Sequence, residues 1–185
     1  MHRICAVAIV LLTLVLPLQA TVLLPAEFRE IVAGSQLIVY GRVTEVRPEW
    51  TADRRRIDSI VSIEVSSYLK GGPGEIVTVR VPGGRIGRYT SITVGAPSFR
   101  PGEEAVFFLT ARGPSVASVF GMSQGVFRVQ VDGRSGRRLV VPPALMARSE
   151  VPERVVRGAA DRRPLALDAF ASRVRLAMEQ TAVAR

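Results

Sequence analysis

The sequence predicts a mainly β domain, a barrel or a sandwich of about six or seven short strands, with a short helix near its start and an amphipathic helix at its end. Three observations carry this expectation. Residues 57–69 alternate core and solvent side chains with a period of two. Glycine- and proline-rich turn signals then recur roughly every 8 to 12 residues up to Asp132-Gly133. Helical spacing occurs only before and after this β region.

Taken in order, residues 4–18 are almost continuously apolar, preceded by His2 and Arg3 and followed by Gln19-Ala20, the pattern of a secretory signal cleaved near Ala20. The run is shorter than the ~20 residues of a membrane span. Pro25, an acid at Glu27, and the spacing of Phe28, Ile31 and Val32 predict a short helix stopping at Gly34. Residues 37–46 are β-branched and form the first expected strand, ending before Pro48. In the long alternating strand, Ile57, Ser59, Val61, Ile63, Val65, Ser67 and Leu69 face one way, and Asp58, Ser62, Glu64, Ser66 and Lys70 the other. A glycine turn at 71–74 leads into an alternating partner at 75–81. A Gly/Arg-rich loop follows, then residues 91–94, the apolar strand 105–110, and a hairpin of 125–131 with 137–141. Finally Leu165, Leu167, Phe170, Val174 and Met178, with Leu176 less regularly, mark a helix that covers the β domain. The expected organisation is a signal at 1–20, a barrel domain at 21–141, a Pro/Arg-rich linker or arm at 142–163 and a helix at 164–185. The mature chain then holds no transmembrane segment and resides in a secreted or periplasmic compartment.

The only cysteine, Cys5, and the only histidine, His2, lie inside the expected signal. The exported chain therefore lacks disulfides, thiol nucleophiles, histidine bases and imidazole- or thiolate-bound zinc. No cofactor or metal is expected. Glu103 and Glu104 are adjacent, so on a strand they point to opposite faces and do not act as a pair. Lys70 falls beside an exposed glycine turn, which disfavours a Ser-Lys dyad. The expectation is that the protein is not an enzyme. The surviving catalytic alternative, a carboxylate-dependent hydrolase, requires two acids converging at roughly 5 to 10 Å.

The charge balance is 25 Lys+Arg against 16 Asp+Glu, a net +9. Lys70 is the only lysine, so the surplus is arginine. Such a surplus suits polyanionic neighbours or serves solubility. The arginines are dispersed, and the longest block is Arg54-Arg55-Arg56.

One region resembles a known family. The helix, the segment Leu-Ile-Val-Tyr-Gly-Arg-Val at 37–43, the long strand ending Tyr68-Leu69-Lys70-Gly71, and Gly102-Glu103-Glu104 leading into 105–109 are similar to the netrin-like module, the OB-type barrel of tissue inhibitors of metalloproteinases and complement C-terminal domains. The resemblance implies a five- or six-stranded OB-like antiparallel barrel with a short N-terminal helix and a C-terminal helix. It also implies a binding or accessory role toward an exported protease or a surface protein. Those inhibitors use an N-terminal cysteine on the target's zinc, braced by disulfides; a mature chain starting at Thr21 lacks both, so the fold carries over and the inhibitory contact does not. OB barrels that bind polymers combine aromatic platforms with a basic groove. The residues of those types here are Tyr40, Trp50, Tyr68 and Tyr89 with Arg42, Arg54, Arg55, Arg56, Arg85 and Arg88. The alternative partner is a polyanion, meaning an acidic glycan, a lipid headgroup or nucleic acid, with export weighing against nucleic acid. Residues 83–88, Gly-Gly-Arg-Ile-Gly-Arg, resemble a phosphate-binding loop but sit between antiparallel strands without the strand-to-helix context, and read as a flexible loop.

Overall fold

The computed structural model describes residues 25–72, 74–111, 116–144 and 163–183. The expected signal, Cys5, His2 and nearly all of the expected linker lie outside the described residues. The fold is mainly β, a closed five-stranded OB-like barrel with a short helix before it and a longer one after it.

Helix α1 (Phe28–Gly34) begins where the Glu30 carboxylate accepts the Glu27 N–H at 3.0 Å, and it buries Phe28, Ile31 and Val32. Its end is held from two sides. Ser35 Oγ donates to the Ile31 carbonyl at 2.7 Å, and Lys70 Nζ donates to the Val32 carbonyl at 2.9 Å. A cation on the orphan carbonyls of a last helical turn satisfies them and opposes the dipole. Lys70 is thus half-buried on a strand end and engaged with the helix, where an exposed turn was expected.

The barrel is formed by β1 (Leu37–Trp50), β2 (Ile57–Lys70), β3 (Ile76–Pro82), β6 (Glu104–Thr110) and β7 (Ala117–Val119). The strand order β1-β2-β3-β7-β6 closes through β6 back onto β1, and the β3–β7 contact is parallel while the rest are antiparallel. Between β3 and β6 the Gly/Arg segment forms a two-stranded hairpin, β4 (Gly84–Ile86) and β5 (Tyr89–Ser91), with Gly87 at φ 57 in its turn. An ordered hairpin therefore replaces the flexible loop expected there. Beyond β6 the sheet continues into β8 (Val126–Val131), β9 (Arg138–Val141) and β10 (Leu165–Ala166), which lead into α2 (Leu167–Val183).

Strand β1 runs through Pro48, past its expected end. Its ladder to β6 stops at Arg42, so among the described strands the distal half is hydrogen-bonded to β2 alone. An edge of this kind tolerates proline. Three irregularities bend β1 and β2. Ser66 is an extra residue opposite Tyr40 and Gly41, Leu69 is extra opposite Ile38 and Val39, and Thr44 is extra on β1. The Ser66 bulge also reverses the expected facing near the end of β2: Tyr68 packs with the barrel interior, and Leu69 packs under the helices.

Two cores share one wall. Val39, Val43, Val61, Ile63, Val79, Ala105, Phe107 and Leu109 fill the barrel. On the outside of the same wall, Ile38, Tyr40, Val106, Phe108 and Phe127 pack beneath α1 and α2 with Phe28, Phe170 and Val174. The apolar run of β6 follows from this, because both of its faces are covered. Four phenylalanines, Phe28, Phe108, Phe127 and Phe170, meet with ring centroids 5.0 to 6.3 Å apart.

Candidate functional site

The ten residues singled out by type separate into three places. At one end of the barrel, the distal β1–β2 ribbon and the β4–β5 hairpin lie against each other. A Cβ on Gly84 would stand 2.9 Å from Ile57 Cγ2 and 3.4 Å from Pro48 Cβ, so only glycine lets β4 approach the ribbon this closely. The approach brings Trp50 and Tyr89 into an edge-to-face contact with centroids 5.5 Å apart. Both rings remain partly exposed, at 39% and 51%. The Arg88 guanidinium lies over Tyr89, 5.1 Å from the ring centroid.

The tip of the ribbon, residues 51–56, is an ordered turn. Thr51 N–H donates to the Arg56 carbonyl at 2.9 Å, Thr51 Oγ1 donates to Asp53 Oδ1 at 2.6 Å, and the Arg55 N–H donates to the same carboxylate at 3.2 Å. The Thr51 hydrogen bond, followed by that of Arg55, holds the Asp53 carboxyl below its ordinary pKa. Arg54 sits at φ 54 in the left-handed region, an uncommon place for a long side chain. Among the described residues, Arg54, Arg55, Arg56, Arg85 and Arg88 make no ion pair with a carboxylate.

Tyr40 and Arg42 belong to a different face. Tyr40 donates its hydroxyl to Glu104 Oε2 at 2.6 Å, Arg42 Nη2 bonds Glu104 Oε1 at 2.7 Å, and Arg138 approaches the same carboxylate at 3.5 Å. Burial, then the anionic Glu104, push the Tyr40 hydroxyl up to about 12. The Tyr40 hydrogen bond and the two arginines hold Glu104 below its ordinary value. A carboxylate so placed is a fixed anion and a poor proton donor at neutral pH. Glu103 is paired with Arg128, whose other arm donates to the Ser98 carbonyl at 2.7 Å. The two glutamates thus serve separate ion pairs. A groove of about 650 Å³ runs beside Tyr40 and Arg138, between β9 and the start of α2.

Tyr68, in the third place, packs toward the barrel interior and donates its hydroxyl to the Gly74 carbonyl at 2.9 Å, bracing the glycine turn. It is not beside the other aromatic candidates. The outward positions of β2 and β3 hold Asp58, Ser62, Glu64, Thr78 and Arg80, with no ring among them.

Sequence reasoning missed two features of the tip. Ile92 and Val94 leave the strand pattern after β5 and are 85% and 95% exposed. A pocket of about 230 Å³ opens at the same end, in the barrel mouth, between the inward Val46, Val61 and Val81 and the segment holding Ile92, Ala96 and Phe99. The apolar Ser91-Ile92-Thr93-Val94 stretch carried no sign that it would stay in solvent. Among the described residues, no group of three or more His, Cys, Asp or Glu is placed to hold a metal ion. None of their helices is long and apolar enough to cross a membrane.

Comparison with protein-family models, with curated proteins and with solved structures finds no match for the chain.

Proposed function

We propose that the protein is an exported, non-catalytic binding module that docks another exported protein on the tip built from the β1–β2 and β4–β5 hairpins. One observation carries the proposal: Trp50 and Tyr89, distant in sequence, meet half-exposed among five arginines that form no ion pair with a described carboxylate. Tryptophan, tyrosine and arginine are the residue types that dominate binding energy at protein interfaces. The expected loss of His2 and Cys5 with the signal, and the engagement of Glu103 and Glu104 in separate ion pairs, support a role without bond cleavage. The netrin-like motifs support the same reading at the level of the module.

The test is capture from the native exported fraction by the purified chain. Trp50→Ala combined with Tyr89→Ala should abolish capture while leaving the melting temperature within a few degrees. Undiminished capture, or turnover of a substrate by the purified protein, defeats the proposal. A second reading, in which the tip binds a polyanion, rests on the same unpaired arginines. It predicts retention on heparin that falls steeply with salt and disappears when Arg54, Arg55 and Arg56 become alanine.

A further inference from the structure

We infer that the tip recognises an acidic segment of a protein partner that carries an apolar side chain, the arginines meeting its carboxylates while the barrel-mouth pocket receives the apolar group. The inference rests on the reading of the tip as a docking surface and names the chemistry of what docks there.

Three features of the tip converge on this occupant. The pocket and the tip share elements: Ser59 of β2, Gly84 of β4 and Ser91 of β5 line the pocket, while Trp50, which pairs with Ile57, and Tyr89 stand on the same ribbon and hairpin. The pocket walls are mainly apolar, and Ile92, on its rim, is 85% exposed with Val94 beside it at 95%. Covering such surface is favourable at about 25 cal/mol per Å² of apolar area. The arginines 54, 55, 56, 85 and 88 make no ion pair among the described residues, and Asp53, which feels Arg56, is the one acid in their turn, so an incoming anion meets a surplus of positive charge.

Arg54 adds an independent pointer. Its left-handed backbone costs on the order of 1 kcal/mol that glycine would avoid. Strain of this kind persists where a side chain is kept for what it does at a surface. A purely anionic polymer would satisfy the arginines and leave the pocket, Ile92 and Val94 wet. A purely apolar partner would do the reverse and crowd unpaired cations. Only a segment with both chemistries uses the whole tip.

Fluorescence anisotropy with three labelled probes tests this: a short peptide alternating glutamate with leucine, one of equal length alternating glutamate with serine, and a heparin fragment. The leucine peptide should bind roughly tenfold tighter than the serine peptide, as expected for a buried apolar anchor. Ile92→Ser, a substitution at a solvent-exposed position that leaves the fold intact, should erase that difference. Arg54→Ala, Arg55→Ala and Arg56→Ala together should weaken both peptides, and added salt should do the same. Equal affinity for the two peptides, or tight binding of heparin alone, overturns the inference and leaves the tip as a polyanion surface. Undiminished capture by the triple arginine variant likewise overturns the inference, whereas undiminished capture by the Trp50→Ala, Tyr89→Ala variant sinks the docking reading itself.

Discussion

Gly41 shows how closely single residues constrain this barrel. A methyl group there would lie 2.4 Å from the Glu64 carbonyl oxygen and 2.8 Å from Ile63 Cγ2, so β1 crosses β2 at a distance that only glycine permits. Gly41→Ala should cost about 2 to 3 kcal/mol, read as a lowered urea midpoint with an unchanged m-value. Arg54 predicts the opposite sign. Arg54→Gly should raise stability by about 1 kcal/mol and weaken partner binding, the signature of strain held for function. The Tyr40–Glu104 pair sets the pH limits. Glu104, held low in the fold, contributes stability that is present above the ordinary carboxylate range and lost as pH falls through and below it. Tyr40, pushed up to about 12, contributes stability that is complete below its ordinary value of about 10 and lost as pH rises toward its folded value. Urea midpoints measured across pH should therefore fall at both ends, and Glu104→Gln should flatten the acid limb. At this scale the sequence showed which residues had binding chemistry but not which were already occupied. Tyr40 and Tyr68 looked like Trp50 and Tyr89 on paper, yet their hydroxyls serve Glu104 and the Gly74 carbonyl.

The elements were legible wherever periodicity ran long enough to be counted. Helix α1, most of β1 and β2, the apolar β6, the β8–β9 hairpin and α2 all follow from alternation, helical spacing or turn residues. Strand β7 did not, because three residues carry no period, although it is β7 that lies between β3 and β6 and closes the barrel. The facing of Tyr68 and Leu69 was reversed for a related reason. An extra residue in one strand changes the parity of everything after it, and a bulge depends on its partner strand. Deleting Ser66 should remove the bulge yet keep Val65 and Tyr68 facing the barrel and Leu69 facing the helices, because the extra residue itself carries the parity change, and should cost no more than about 1 to 2 kcal/mol for the lost bend. Thermal melts of the deletion beside Ser66→Ala would separate loss of the bulge from loss of the hydroxyl. The β4–β5 hairpin illustrates the same limit. Glycines at 83, 84 and 87 announced a turn, but its docking on the β1–β2 ribbon depends on a contact between remote segments.

Across the whole molecule, packing and exposed binding chemistry fall in different places. The helices and the outer sheet close over the phenylalanine cluster, and Glu104 is held beside it by Tyr40 and Arg42. The tip keeps arginines that form no ion pair with a described carboxylate, two half-exposed rings and an apolar pocket. The overall surplus of arginine was visible in the composition, but its uneven pairing was not, because pairing is decided by which strands become neighbours.

The wall common to both cores has a dynamic consequence. Amides in the middle of β6 lie where neither apolar compartment can open without exposing the other, so local breathing offers them no route to solvent. In deuterium oxide, the amide protons of Phe107 and Phe108 should be the last to be replaced, at a rate set by global unfolding. Exchange there as fast as in α2 would mean that the helical layer and the barrel come apart as separate units.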